Sequence, residues 1–542
     1  VQASSFPVEE RAVDGPRFID RLNRMVLASV DAQQISTTLE SLTQAWVDSR
    51  CLHGWLGTGD CAFTVVVPSG PFLMQHKSSR PQGAHPWPDA AQPGELSMPV
   101  QATTHLTHRT YAIVLAGGRG SRLHQLTDWR AKPAVPFAGK LKIIDFTLSN
   151  CVNSDLRRVA VLTQYKAQSL IQHIERGWSF LAASLGEYVD VVPAQQQLGE
   201  RWYSGTANAV WQNLGMLRDA RPDFVIVLGG DHVYKMDYSV MLQEHADRGA
   251  SLTVACVEVP LADAANELGV MTIDDHDRVL DFAEKPAQPT PMPDRPTHAM
   301  GSMGIYVFST DYLVDQLNRD AADERSAHDF GRDIMPWAVQ HDTVHAHRFS
   351  RSCVNMVGDR PYWRDVGTVD AYWEAHMDLT KVQPELNLYD DSWPILSLQP
   401  QLAPAKFVFD YAGRRGMAVD SLVASGCIVS GALVRRSVLF SKVRVEVDSL
   451  IEDSAVLPNV TVGRGTVLRR AIIDKHTRLP DGFHAGVDPQ ADLERGFHVT
   501  ARGITLVTPE MLGQLNRGSV APTAVHRPRG PARAWADDST YG

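Results

Sequence analysis

A chain of 542 residues with 44% apolar and 21% charged residues, 39 Gly and 32 Pro is neither a disordered tract nor a collagen-like repeat, and it is long enough for two or more folded domains. Its formal charge of −10 excludes a uniformly basic nucleic-acid coat but leaves room for a local cationic pocket, so small molecules are the expected partners, with no nucleic acid and no membrane. Six scattered cysteines (Cys51, Cys61, Cys151, Cys256, Cys353, Cys427) show no CxxC and no zinc spacing, which argues against disulfides or a structural metal and for a reducing, cytoplasmic setting.

No run approaches the roughly 18 apolar residues of a membrane helix, and the start of the chain lacks the pattern of a signal peptide. Residues 1–107 read as an N-terminal extension and linker. An amphipathic stretch at Phe18–Val47 and an apolar patch at Phe63–Val67 precede SSRPQGAHPWPDAAQPGEL, a linker rich in Pro and small polar residues. Met98 stands about a dozen residues before the first strong strand, so the extension is expected to be dispensable, with a small accessory domain as the alternative.

From Tyr111 the texture changes. The runs YAIVLAGG, RRVAVLTQY, FVIVLGGDH and LTVACVEV alternate with helical patterns, which predicts an α/β domain over 108–385: a mostly parallel sheet with helices on both faces. Ligands in such sheets sit at the carboxyl ends of the strands, where AGGRGSRL, TQY and GGDHVY fall. A connecting segment is expected over 386–420.

Beyond about residue 405 the helical period disappears, and apolar pairs recur at Ile428-Val429, Val438-Leu439, Leu450-Ile451, Val456-Leu457, Val467-Leu468 and Ile472-Ile473. Their steps of 10, 12, 6, 11 and 5 residues lie close to multiples of a five-to-six residue unit. This predicts a triangular parallel β-helix over 421–510, irregular antiparallel strands being the alternative. Residues 511–542 lack periodicity and are expected to be a disordered tail.

The turn Gly117-Gly118-Arg119-Gly120-Ser121-Arg122-Leu123 exposes bare backbone amides that can hydrogen-bond phosphate oxygens. It is neither a Walker A loop nor a dinucleotide fingerprint, since no Gly-Lys-Ser/Thr follows and the third glycine of the fingerprint would fall at Leu123. Its distinguishing feature is the adjoining cation set, Arg119, Arg122 and Lys132, suited to charge gathering on a departing pyrophosphate. An ordinary strand-to-helix turn is the competing reading.

The ordered segments AGGRGSRLHQLTDWRAKPAVPFAGKLKIIDFTLSNCVNS, GTANAVWQN, GGDHVYKMDY, FAEKP, SMGIYVF, HDFGRDIMP and PYWRDVGTVDAYWEAH resemble the glucose-1-phosphate adenylyltransferase family, over roughly residues 108–510. The resemblance implies a nucleotidyltransferase domain followed by a left-handed parallel β-helix. It further implies synthesis of ADP-glucose from ATP and α-D-glucose 1-phosphate for glycogen, in a homotetramer under allosteric control by small-molecule effectors. Glucose 1-phosphate already carries an anionic oxygen nucleophile, so such an enzyme needs alignment and a metal more than a catalytic base.

On this resemblance Asp231 and Asp365 would hold Mg²⁺, whose hard oxygen chemistry they suit. Arg119, Arg122 and Lys132 would serve the triphosphate, with Gly117, Gly118 and Gly120 at the nucleotide. Lys285 would grip the sugar phosphate and Glu284 the sugar hydroxyls, while Tyr203, Gly269 and Ser302 complete the sugar site. Gln195 and Gln196 would read the adenine edge. Capping or turn roles for the two aspartates and a surface ion pair at Glu284-Lys285 are the alternatives.

Several positions depart from the family pattern. Asn208 stands where an Asp is usual and Ser204 where a long polar or basic residue is usual, while Trp129 and Pro136 replace cations in the effector region. Lys142, Arg464, Arg469 and Arg470 are candidates for an effector anion, or else a solvated basic face. His232 and His328 are expected to be hydrogen-bonded structural histidines. Rival functions are a sugar nucleotidyltransferase using another nucleotide and a non-catalytic regulatory subunit. A β-helix acyltransferase is disfavoured, because His476 is the only histidine in residues 421–480.

Overall fold

The computed structural model describes residues 62–67, 70–75, 106–118, 120–195, 202–354, 356, 360–411 and 414–514. The amphipathic stretch at 18–47, the linker before Met98, Arg119, Gln196 and the tail beyond 514 lie outside the described residues. Two units are distinguished, Val1–Leu96 and Ser97–Gly542. In the first, Ala62–Val67 and Gly70–Gln75 form an antiparallel hairpin with Ala62 opposite Gln75.

The second unit begins with a nine-stranded sheet. Its main path runs Val279–Ala283, Val270–Ile273, His298–Ser309, Phe224–Gly229, Thr110–Leu115, Arg158–Thr163, Tyr188–Pro193; Leu252–Pro260 branches from His298–Ser309 and in turn pairs with Val344–Arg348. The last four strands of that path are mutually parallel, and His298–Ser309 is antiparallel to Phe224–Gly229. Continuous apolar strands such as Thr110–Leu115 are buried because both faces are covered. Ile113, Val225 and Val227 pack on one side and Val114, Ile226 and Leu228 on the other.

The parallel β-helix is present. Its three faces are ladders of short parallel strands: Met417 stands opposite Leu433, an advance of 16 residues, and Leu433 opposite Leu450 and Leu450 opposite Val467, advances of 17. The apolar pairs read from the sequence supply the inward side chains Val429, Leu439, Ile451, Val456, Leu468 and Ile473. The ladders begin earlier than residue 421: Lys406–Val408 already pairs in parallel with Ile428–Ser430. The first coil escaped the periodicity because Lys406 and Phe407 are exposed and a small hairpin, Asp410–Tyr411 with Arg414–Arg415, interrupts it.

The coils are not an appendage. Phe137, Tyr372 and His376 meet Phe440, Ile472 and Leu506 in one continuous apolar cluster. The His376 ring lies 4.5 Å from that of Phe137 and 5.6 Å from that of Phe440. Its Nδ1–H donates to Tyr372 O at 2.8 Å and its Nε2 accepts the Ala138 N–H at 3.2 Å. Burial lowers its pKa to about 4, so it serves as a neutral bridge. Beside it the buried Arg130 guanidinium is paired with Asp474 of the coils, the two side chains being 2% and 6% exposed.

Removing one member of a buried ion pair leaves the other charge uncompensated in a low-dielectric site. Asp474→Ala is therefore expected to cost about 3–5 kcal/mol of stability, read as a lowered thermal midpoint, whereas the double change Arg130→Met with Asp474→Leu should restore most of the loss.

Candidate functional site

The glycine-rich loop leaves the strand Thr110–Leu115 and enters a short 3₁₀ segment at Ser121–Thr127. Gly120 has φ +62°, and a Cβ there would sit 2.9 Å from Lys132 Cβ, so glycine alone lets the loop lie against Lys132. Gly117 lies against Gln164, at the end of the neighbouring strand, and the Gln164 amide donates to Tyr203 O at 3.3 Å. Leu123 and Leu126 are buried and anchor the loop in the cluster shared with the coils.

Lys132 is the hub. Its side chain is 6% exposed, and its Nζ lies 3.1 Å from Asp231 Oδ2 while also contacting Asp365 Oδ1. Arg122 reaches Asp365 Oδ2 at 3.4 Å with one nitrogen and pairs with Glu267 through another. Two residues far apart in sequence meet here because the short strand Trp363–Arg364 pairs with Val233–Tyr234, Arg364 opposite Val233. That register sets Asp365 beside Asp231, which follows the end of Phe224–Gly229. Gly367 tightens the corner, since a Cβ there would lie 2.9 Å from Asp365 Oδ1 and 3.1 Å from an Arg122 nitrogen.

Burial alone would raise both carboxylates. The Lys132 charge overrides it, holding Asp231 at about 2 and Asp365 below its ordinary value. For Lys132 the balance has the same outcome: burial disfavours its charge, but the two carboxylates keep its pKa above the usual value. His232, at 3.7 Å from Asp231 Oδ1, contributes to the same field and sets its ring edge-on to Trp363.

A second cluster lies beyond Glu267. Gly269 and Gly331 both sit against Glu284, where an added Cβ would approach the carboxylate to 2.9 and 2.5 Å, and the Ser302 N–H donates to Gly269 O at 2.7 Å. Burial raises the Glu284 pKa, with the Asp329 charge adding to the rise and Lys285 opposing it. Lys285 holds a left-handed backbone, φ +47°, and follows directly on Glu284. Asp329 accepts from Gly331 N at 2.9 Å and from Thr206 Oγ1 at 2.9 Å, joining this cluster to the helix Thr206–Trp211 that follows Tyr203. Tyr203 Oη accepts from Asn213 Nδ2 at 2.9 Å.

Three groups were not singled out from sequence: Glu267, Asp329 and Gly367. Each stood within or beside a motif, in NELGV, HDFG and DVGT, but its partner is distant in the chain. The Asn208 side-chain oxygen accepts from Ser204 N at 3.2 Å and Gln212 Nε2 at 2.7 Å, a role open to either an amide or a carboxylate. His328 is held by Asp320 at 2.9 Å. Gln195 is exposed at the end of Tyr188–Pro193.

The candidate effector cations do not share one set of contacts. Lys142 donates to Ser169 O at 2.9 Å, and burial lowers its pKa to about 8, with Asp145 opposing and Lys475 and Arg130 reinforcing the shift. Arg469 pairs with Glu452 at 3.2 Å, and Arg470 lies 5.1 Å over the Trp373 ring. The Arg464 backbone N–H donates to Asp481 at 2.8 Å.

Among the described residues no cluster of three or more His, Cys, Asp or Glu could hold a metal, and no helix is long and apolar enough to cross a membrane. The two carboxylates facing Lys132 nonetheless match a divalent cation that takes one or two protein oxygens and completes its shell with substrate phosphate and water.

Comparison with known proteins gives consistent matches. The nucleotidyl transferase family profile matches residues 111–382, and the GlmU-like C-terminal hexapeptide profile, the signature of left-handed coils, matches residues 403–507. The glucose-1-phosphate adenylyltransferase of Dechloromonas aromatica is 60% identical over 412 residues, covering 76% of this chain and 93% of the relative. That of Nitrosospira multiformis is 57% identical over 420 residues, 78% and 98% of the two chains, and that of Shewanella baltica strain OS155 53% over 414, 76% and 98%.

Because Asp231 is depressed by its partner, its ion pair contributes stability above the ordinary carboxylate pKa near 4, and loses it only as pH falls toward about 2. Lys132→Met removes the partner and leaves two like charges together. Carboxyl-detected NMR of Asp-labelled protein should then show Asp231 titrating above its ordinary range.

Proposed function

The chain belongs to the glucose-1-phosphate adenylyltransferase family, and on that premise we propose that it transfers the adenylyl group of ATP to α-D-glucose 1-phosphate. The products are ADP-glucose, destined for glycogen, and pyrophosphate. The observation that carries the reading is the meeting of Asp231 and Asp365 at Lys132, beside a glycine-rich loop at the carboxyl ends of parallel strands.

A phosphate oxygen of glucose 1-phosphate attacks the α-phosphorus of ATP; the new P–O bond forms as the bond to the β-phosphate breaks and pyrophosphate departs. The nucleophile is already anionic, so no side chain has to remove a proton. The chain's task is to bring two anions together and to stabilise the leaving charge. Arg122 and Lys132 are paired with carboxylates, and incoming phosphate competes for those same cations. Arg119 belongs with them by its place in the loop. Lys285 meets the sugar phosphate, while Glu284 accepts from sugar hydroxyls in the space that Gly269 and Gly331 keep open. Ser302 and Tyr203 would border the sugar, and the amides of Gln195 and its sequence neighbour Gln196 would serve to read the adenine edge.

Mg²⁺ would be held by Asp231 and Asp365, supplying charge neutralisation between the phosphates. Effector anions would bind where the domains meet, around Lys142 and the buried Arg130, whose Nε and Nη1 lack hydrogen-bond partners among the described residues. Arg469 and Arg470 would serve only by exchanging their present contacts with Glu452 and with Trp373 and Arg502 O. A homotetramer in the cytoplasm is the expected working form.

Asp231→Asn keeps the side chain's shape but removes its charge. Turnover, read as pyrophosphate release, should fall about 10²–10⁴-fold, and the thermal midpoint should drop because Lys132 loses one of its two carboxylate partners. Of ATP, UTP, dTTP and GTP, ATP should be the preferred substrate. Near-normal turnover in the variant would remove Asp231 from the metal role.

A further inference from the structure

The loop that carries Arg122 contains a backbone irregularity. His124 interrupts the 3₁₀ segment with φ +48° and ψ −130°, a conformation that favours glycine. A residue with a full side chain persists there only if its surroundings hold it. Locally, Thr127 Oγ1 donates to His124 O and Gly120 O, both at 3.0 Å. Support also comes from the other domain: the His124 ring lies on that of His498, with centroids 4.0 Å apart and planes at 32°.

His498 belongs to the short strand His498–Val499, which turns back on Thr505–Val507, the last rung of one face of the coils. The same hairpin touches a second arm of the site. Thr500 Oγ1 donates to Asp370 Oδ1 at 2.6 Å, and Asp370 opens the helix Val369–Leu379, five residues after Asp365. An open cleft of about 490 Å³ brings Arg122, His124, Asp370, His498 and Thr500 together. Burial and the neighbouring His124 lower the His498 pKa while Asp370 opposes them, so a neutral ring, suited to stacking, is favoured.

We propose that His498 is a positioning residue for the nucleotide: its ring braces His124 and thereby keeps the glycine-rich loop, with Arg122, in the conformation that meets the triphosphate. The proposal rests on the reading that this loop binds ATP. It assigns the coils a part in substrate binding exerted through the Gly117–Thr127 loop rather than through contact with the substrate.

The test separates the two substrates kinetically. His498→Ala should raise KM for ATP about three- to tenfold while leaving KM for glucose 1-phosphate within about twofold, and His498→Phe, which keeps a planar ring, should restore the wild-type value. His124→Ala should have the same effect, and the double Ala variant should be no worse than either single one, because one contact is being removed. An unchanged KM for ATP in both single variants would overturn the proposal, as would equal shifts for both substrates or a Phe variant no better than Ala. If His498→Ala lowers the thermal midpoint, His124→Ala and His498→Phe carry the same comparison. Arg122→Ala, measured in parallel, distinguishes the two levels. A raised KM for ATP there with a silent His498→Ala overturns the brace alone, whereas no effect in either overturns the triphosphate reading with it.

Discussion

One ammonium group organises the molecule's charged centre. Lys132 is almost wholly buried, and a buried cation is tolerated only when opposite charges face it. Asp231 and Asp365 provide them, and they in turn could not remain ionised side by side without it. Much nearby geometry serves this arrangement. Gly120 gives up its side chain to admit Lys132, and the pairing of Trp363–Arg364 with Val233–Tyr234 delivers Asp365 to Asp231.

Two residues before Lys132, Arg130 is buried against Asp474 of the coils. Ala131 alone separates the two, and their partners differ: Arg130 ties the domains together through Asp474, while Lys132 assembles the site with Asp231 and Asp365. The coil domain is thus coupled to the chemistry by an ion pair, by the aromatic cluster around His376, and by the hairpin at His498. None of these contacts requires a coil residue to touch the reacting atoms.

Elements whose signals are local were legible from the residues alone. Continuous apolar runs of six residues announced the parallel strands, and apolar pairs at five-to-six residue steps announced the coils, because in both cases burial repeats at short range. The first coil was hidden, since its strand at Lys406–Val408 exposes the residues that would have carried the pattern. The strand Trp363–Arg364 is two residues long and has no periodicity to read, yet its register decides where Asp365 lies. Glu267 and Asp329 were missed for a related reason: their significance depends on Arg122 and Thr206, more than a hundred residues away. The family resemblance supplied the pairing of Asp231 with Asp365 that spacing could not.

The account depends on Asp231 and Asp365 acting as one divalent-cation site completed by nucleotide. Mn²⁺ titration followed by electron paramagnetic resonance, with ATP present, measures this without relying on turnover. Asp231→Asn and Asp365→Asn should each weaken Mn²⁺ capture by the protein–ATP complex by about tenfold or more. If both variants take up Mn²⁺ with the affinity and spectrum of the native chain, the two carboxylates do not share an ion and the central claim is wrong.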